Sequence, residues 1–348
     1  MVGWAKARSA VPTRRAPVAA ALSPIELWAR CALPTLQAEM TRHPTASSAK
    51  ATATLIGFTA VLLWSLLAVF TAASGAMPPF QLAAVTFAIG GALGAVTWLW
   101  RPGAARALKQ PPEVWALGIG GLFGYHALYF TALKTAPPAE AGLINYLWPL
   151  LIVLFSALLP GERLRLHHVA GALLGLAGTV LLFTAGQGLT LATEYLPGFA
   201  AAFVAAFVWS TYSVLSRRFA AVPTDAVAGF CVVTAVLAAV FHLVFERTVW
   251  PDGRLQWLAV AALGLGPVGA AFYAWDYGMK QGDIRVLGAL SYSAPVLSTS
   301  FLVLAGFAEA GPALLASAAL ITGGGLLAAK DMLGRRAPQG VAGDRSRR

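Results

Sequence analysis

Ten stretches of about twenty almost uninterrupted apolar residues limit what this 348-residue chain can fold into. They lie at about 52–71, 79–100, 113–134, 139–159, 166–185, 196–216, 225–245, 255–279, 284–306 and 311–330. Roughly twenty residues rising 1.5 Å each are what a helix needs to cross about 30 Å of hydrocarbon. Lipid offers the backbone no hydrogen-bond partner, so each run is expected to be a helix. Composition agrees: 58% of residues are hydrophobic, 11% are charged and mean hydropathy is +0.70, whereas a soluble domain carries about 25% charged residues. The expectation is an all-α integral membrane protein with ten transmembrane helices and the lipid bilayer as a partner.

Basic residues orient the helices, because Lys and Arg in short loops stay on the cytoplasmic side. With a cytoplasmic N-terminus, 22 of the 25 Lys and Arg fall on that side, and only Lys134, Arg247 and Arg254 fall outside. Both termini are therefore placed in the cytoplasm. The same spread explains the net charge of +11 without a nucleic-acid partner, since no aromatic-interleaved basic stripe is present. Residues 1–50 are rich in Ala, Pro, Ser and Arg and read as a disordered basic extension. Its apolar segment Val18 to Leu22 is cut by Ser23 and Pro24, too short for a signal-peptide core, and Met40 offers an alternative start. Residues 331–348 read as a basic cytoplasmic tail.

The segment from Tyr129 to Pro149 recurs 146 residues later as Trp275 to Pro295. At that offset Lys134, Gly142, Tyr146 and Pro149 fall on Lys280, Gly288, Tyr292 and Pro295. Each half holds five runs, and two homologous units with an odd number of crossings must enter the membrane in opposite orientations. The expectation is two inverted five-helix repeats, 51–185 and 195–330.

Pro149 and Pro295 are candidate hinges. A proline inside a helix cannot donate its hydrogen bond and clashes with the carbonyl four residues earlier, here those of Asn145 and Ser291. In lipid such a freed carbonyl must find a partner or line a cavity. Asn145, Tyr146 and Trp148 in one half, and Ser291 and Tyr292 in the other, are therefore candidate substrate-binding residues. The third helix adds Tyr125 and Tyr129, which share a face, and His126, an ionisable group near mid-membrane. The sixth adds Trp209, Tyr212 and Ser213, too far inside the span to be an interfacial belt. Asp276, four residues before Lys280, has the spacing of a helical ion pair; the alternative is a titrating coupling site or a counter-charge for a substrate ammonium.

Catalytic constellations are missing. The sequence has no nucleophile elbow, no metal-binding histidine pair and no phosphate-cradling glycine loop. A non-enzyme with no cofactor and no metal is expected, whose transport is not driven by its own nucleotide hydrolysis.

The mirrored halves resemble the EamA-type members of the drug/metabolite transporter superfamily over about residues 52–330. The stretch from Gly124 to Lys134 and the run Glu140 to Leu150, with Asn145-Tyr146-Leu147-Trp148-Pro149 at its centre, is similar to the aromatic amino acid exporters within it. The resemblance implies the drug/metabolite transporter fold and export of amino acids, especially aromatic and other apolar ones, across a bacterial inner membrane. It further implies a central cavity, alternating access and a monomer as the working unit. The alternative is the same fold carrying a sugar phosphate, a nucleotide sugar or an organic cation. Such anions call for several basic groups, whereas the repeat motif offers only Lys134 and Lys280.

Overall fold

The computed structural model describes residues 46–101, 103–184, 192–304 and 311–333. The expectations for the N-terminal extension and, beyond the short turn Lys330–Leu333, for the basic tail lie outside the described residues. Among the described residues the regular elements are helical. The first half contains α1 (Ala46–Ser65), α2 (Leu67–Ala73), α3 (Pro79–Thr97), α4 (Pro112–Ile119), α5 (Tyr125–Thr135), α6 (Pro138–Asn145), α7 (Trp148–Phe155) and α8 (Leu166–Thr184). The second contains α9 (Leu196–Ser216), α10 (Ala226–Phe245), α11 (Arg254–Leu265), α12 (Ala271–Gln281), α13 (Ile284–Leu290), α14 (Ser293–Leu304) and α15 (Pro312–Ala328). Proline opens α3, α4, α6 and α15, where its missing N–H is no loss and its fixed φ suits the first turn.

Several of these helices continue one another, and eight continuous stretches are long and apolar enough to cross a membrane, from Ser48–Ala73 through Arg254–Gln281. The last two of the ten sequence runs are not among them. Run 311–330 yields α15, with 17 residues, and run 284–306 is divided at Ser291 and Tyr292. Pro295 cannot donate to the Ser291 carbonyl, which instead accepts the Ala294 N–H at 3.1 Å. The turn is thereby tightened and the carbonyl satisfied locally. Pro149 and the turn at Tyr146 and Leu147 divide α6 from α7 in the same way.

The 146-residue offset reappears in the backbone. A π-helical segment, Gly120–Gly124, links α4 to α5, and another, Gly266–Ala270, links α11 to α12. Wide turns of this kind accommodate one extra residue and recur at functional sites. The second segment contains Pro267, which cannot close an ordinary helical hydrogen bond.

Two pairs of corresponding helices, α8 with α15 and α3 with α10, pack on one another and run antiparallel. A Cβ on Gly171 of α8 would lie 2.5 Å from the Gly324 carbonyl of α15, and one on Gly178 would lie 2.8 Å from Ile321 and 3.0 Å from the Ser317 carbonyl. Advancing along α8 thus means retreating along α15. Likewise α3 crosses α10 with Phe80 beside Glu246 and Gly94 beside Ala228. Small residues allow this approach where lipid supplies no hydrophobic drive for association. Replacing Gly171 by Val forces α8 from α15 and is expected to cost about 1–3 kcal/mol, read as a lowered thermal midpoint in detergent. An unchanged midpoint would show that the helices are free to separate.

The outward faces carry apolar side chains, including Leu243, Val244 and Phe245 on α10, Leu255 and Leu258 on α11, and Leu326 on α15. Apolar patches this extensive on a folded chain mark a surface that meets lipid.

Candidate functional site

A cavity of about 490 Å³ lies where the two halves meet. Its lining comes from α1 and α2 (Trp64, Leu67, Ala68), α5 (Tyr125, His126, Tyr129), α6 and α7 (Asn145, Tyr146, Trp148), α8 (Leu182, Phe183), α9 (Trp209), the second π segment with α12 (Pro267, Val268, Phe272), and α14 (Ala294, Pro295, Ser298, Thr299). The end of the molecule where α1 begins is here called lower. The lining reaches Leu182 and Phe183 beside the upper end of α8 and takes nothing from the lower loops.

Aromatic rings dominate the walls. Trp64, Trp148, Trp209 and Trp275 form a cluster with ring centroids 5.1–6.4 Å apart, and Phe272 joins Trp64 at 6.0 Å and Trp209 at 5.9 Å. Tyr125 stacks on Tyr129 at 5.9 Å and leans on Trp209 at 5.4 Å. Such spacings are those at which aromatic pairs attract. Trp275 lies beneath this floor, buried, its Nε1 donating to Ser213 Oγ at 3.0 Å.

Polar groups at the cavity are few and specifically held. Asn145 is 3% exposed; its Nδ2 donates to the Tyr125 hydroxyl at 3.0 Å, while its Oδ1 is buried without a partner. His126 Nδ1 lies 2.7 Å from the Leu122 carbonyl. A carbonyl only accepts, so Nδ1 carries the proton and Nε2 of the neutral ring is an acceptor. Trp64 Nε1 donates to the Pro267 carbonyl at 3.0 Å, tying α1 to the opposite repeat. No Lys, Arg, Asp or Glu is among the lining residues.

The sequence candidates divide accordingly. Tyr125, His126, Tyr129, Asn145, Tyr146, Trp148, Trp209 and Pro295 border the cavity. Tyr212, Ser213, Ser291 and Tyr292 are buried away from it. Ser213 holds Trp275, and the Ser291 hydroxyl donates to Leu287 O at 2.7 Å. The Tyr292 hydroxyl accepts the Leu150 N–H at 3.2 Å, a donor next to the break between α6 and α7. A side chain of one repeat thus satisfies the broken helix of the other, while its mirror residue Tyr146 faces the cavity. Pro149 is buried, with its carbonyl close to Gly288.

Asp276 and Lys280 form a closed cluster below the floor. Lys280 Nζ donates to Asp276 Oδ2 at 2.8 Å and to the Val222 carbonyl at 2.9 Å, and the Thr224 hydroxyl donates to Asp276 Oδ2 at 2.7 Å. Neither group borders the cavity, and together they pin α12 to the loop before α10. Lys134, the mirror of Lys280, reaches Glu246 at 3.5 Å at the upper end.

Sequence reasoning missed Trp64, Phe272, Phe183, Ser298 and Thr299. Trp64 carried the signal that singled out Trp209, a tryptophan well inside an apolar run; Ser298 and Thr299 carried only their place one helical turn beyond Pro295.

A chain of ion pairs closes the lower end. Glu162, after the left-handed turn at Gly161 (φ 82°), pairs with Arg217 at 3.1 Å and Arg285 at 3.4 Å. Arg217 also donates to the Met279 and Gly282 carbonyls at 3.0 and 2.8 Å. Asp283 pairs with Lys50 and Arg285, both at 3.0 Å, and caps α13. Burial alone would raise the Asp283 carboxyl; the hydrogen bond from Arg285 and the charges of Lys50 and Arg285 outweigh it and hold the group below the usual carboxylate range. A carboxyl depressed on folding adds stability above its unfolded pKa of about 3.9 and loses it as pH falls toward the folded value. The thermal midpoint of Asp283→Asn is therefore expected to fall below wild type at pH 7, with the gap narrowing toward pH 3. A gap independent of pH would remove the carboxylate from that account.

His167, His168 and Asp331 also meet at the lower end. His168 Nδ1 accepts the Arg165 N–H at 3.1 Å, so its neutral ring carries hydrogen on Nε2, the nitrogen facing Asp331. That protonation suits a polar tie between α8 and the segment after α15 better than a metal ligand.

Residues 51–184 and 196–330 each match the EamA-like transporter family. The aromatic amino acid exporter YddG of Ancylobacter novellus is 62% identical over 288 residues, covering 82% of this chain and 99% of that protein. The aromatic amino acid exporter YddG of Escherichia coli is 27% identical over 296 residues, covering 79% and 96%. A solved crystal structure aligns with a TM-score of 0.78 at 61% identity, covering 82% of this chain and 99% of that one. The two-fold family match and the breadth of these similarities show that the chain belongs to the EamA-like transporter family.

Proposed function

We propose that this protein exports aromatic and other apolar amino acids across the bacterial inner membrane by alternating access. The observation that carries this reading is the cavity, large enough for one such molecule, walled by aromatic rings and free of charged side chains. An amino acid at neutral pH has no net charge, and its ring can stack on Trp and Tyr faces. A sugar phosphate or nucleotide sugar would leave several negative charges without a cationic partner, at high desolvation cost. Tyr125, His126, Tyr129, Asn145, Tyr146, Trp148 and Trp209 form the substrate site in this reading. Tyr212, Ser213, Ser291 and Tyr292 support it from behind, and the Asp276–Lys280 pair is structural.

Ten spans, in repeats bounded at about 51–185 and 195–330, complete the arrangement: α13 with α14 forms the ninth and α15 the tenth. The antiparallel crossing of α8 with α15 supports inverted insertion, and the bias of basic residues supports cytoplasmic termini. The cavity then faces the periplasmic side and the ion-pair chain closes the cytoplasmic side. One chain supplies the whole lining, so a monomer suffices. Counterflow of labelled phenylalanine against labelled sugar phosphate in proteoliposomes tests the assignment; exchange of the sugar phosphate alone would overturn it.

Pro149 and Pro295 are the hinges of this cycle. Pro149→Ala and Pro295→Ala are expected to cut phenylalanine efflux while folded protein remains in the membrane. Normal flux in both variants would reject the hinge role.

A further inference from the structure

The cavity serves the two charged ends of an amino acid unequally. Its neutral acceptors are the unpartnered Asn145 Oδ1 and His126 Nε2, left as acceptor by the Nδ1 bond to Leu122. Trp64, Trp148, Trp209 and Tyr125 line the same cavity. Every one of these features favours a cation: an ammonium is held by neutral hydrogen-bond acceptors and attracted by the faces of aromatic rings. A carboxylate finds no Lys or Arg in the lining. Its available donors are neutral hydroxyls, such as those of Ser298 and Thr299.

From this imbalance we infer that recognition rests on the ring and the ammonium, with the carboxylate dispensable, so that aromatic monoamines, compounds with the ring and amine but no carboxyl group, are a further substrate class. The inference rests on the cavity being the substrate site proposed above. No bond is made or broken; the amine enters and leaves as its ammonium. The Tyr125 hydroxyl, itself bonded to Asn145 Nδ2, fixes the amide, whose oxygen lies buried in the cavity wall without a partner. Losing the carboxylate removes a charge the cavity does not neutralise, so affinity is expected to hold or rise.

The test uses the full chain in proteoliposomes preloaded with phenylalanine, and follows counterflow of labelled phenylalanine in competition with two analogues. Phenethylamine keeps ring and amine; 3-phenylpropionate keeps ring and carboxylate. Phenethylamine is expected to compete at least as well as unlabelled phenylalanine, and 3-phenylpropionate at least tenfold more weakly. Labelled phenethylamine is expected to enter in its own right, and Asn145→Leu to abolish its advantage over 3-phenylpropionate. Quenching of tryptophan fluorescence by each analogue in detergent gives binding without transport, so a variant that binds but does not cycle remains informative. Equal competition by the two analogues, stronger competition by the acid, or phenethylamine binding without entry would overturn the inference while leaving phenylalanine counterflow, and with it amino acid export, intact. Loss of phenylalanine counterflow itself in the wild-type protein would instead strike the proposed function.

Discussion

Replacing Asn145 by Leu is expected to raise the half-saturating concentration for phenylalanine by about 10- to 100-fold, with the amount of folded protein unchanged. The side chain is nearly isosteric, so packing at the start of the broken helix is preserved. What is removed is the unpaired oxygen that would receive the substrate ammonium and the donor that holds Tyr125 at 3.0 Å. A hydrogen bond to a charged group contributes about 1.5–3 kcal/mol, and each 1.4 kcal/mol is about tenfold in affinity. Asn145→Asp gives the complementary result: a carboxylate there strengthens binding of a cationic amine relative to the zwitterion. Concentration-dependent counterflow reads both. Unchanged saturation in Asn145→Leu would remove the residue from the substrate site.

Glu162→Ala is expected to open the lower end. Glu162 is the one acid that joins Arg217 to Arg285, and those arginines reach the Met279 and Arg163 carbonyls on opposite sides of the seam. Without it Arg217 loses its carboxylate and keeps only the Met279 and Gly282 carbonyls, while Arg285 keeps Asp283; breaking a buried pair costs about 3–5 kcal/mol. That cost falls on the closed state alone, so the balance shifts toward a state open at this end by about 100-fold or more. The measurement is thiol labelling of Ser213→Cys, with Cys31 and Cys231 replaced by Ala. Ser213 is fully buried beneath the tryptophan floor, so wild-type gating protects it; added Glu162→Ala exposes it to a reagent applied from the cytoplasmic side. Glu162→Gln, which keeps the hydrogen-bonding shape, is expected to lie between. Protection unaltered in both would show that the ion pairs do not gate.

The lining of the cavity was legible in the sequence to the extent that it follows from local chemistry. A tryptophan deep in an apolar run, two tyrosines one turn apart and an Asn placed four residues before a proline each announce an unusual group inside a membrane helix, and Trp209, Tyr125, Tyr129 and Asn145 all border the cavity. Mirror logic worked for the scaffold and overreached for the site. Tyr146 and Tyr292 occupy the same place in the repeat, yet Tyr292 is taken up by the Leu150 N–H and only Tyr146 borders the cavity. The offset says which residues correspond; it carries no information about which of two equivalent hydroxyls meets a backbone donor.

Hydropathy, charge bias and the repeat determined by themselves that the chain is helical, that it belongs in a lipid bilayer and that it is built of two related halves, because each follows from transfer free energy summed along one segment. The tertiary structure alone decided that α8 and α15 cross through Gly171 and Gly324, that Trp64 joins the aromatic floor, and that Glu162, Arg217 and Arg285 meet across the lower end. These depend on residues as far apart in sequence as Trp64 and Trp275 approaching within a few ångströms, and a glycine contact or an ion pair exists only once two helices have chosen the same crossing point.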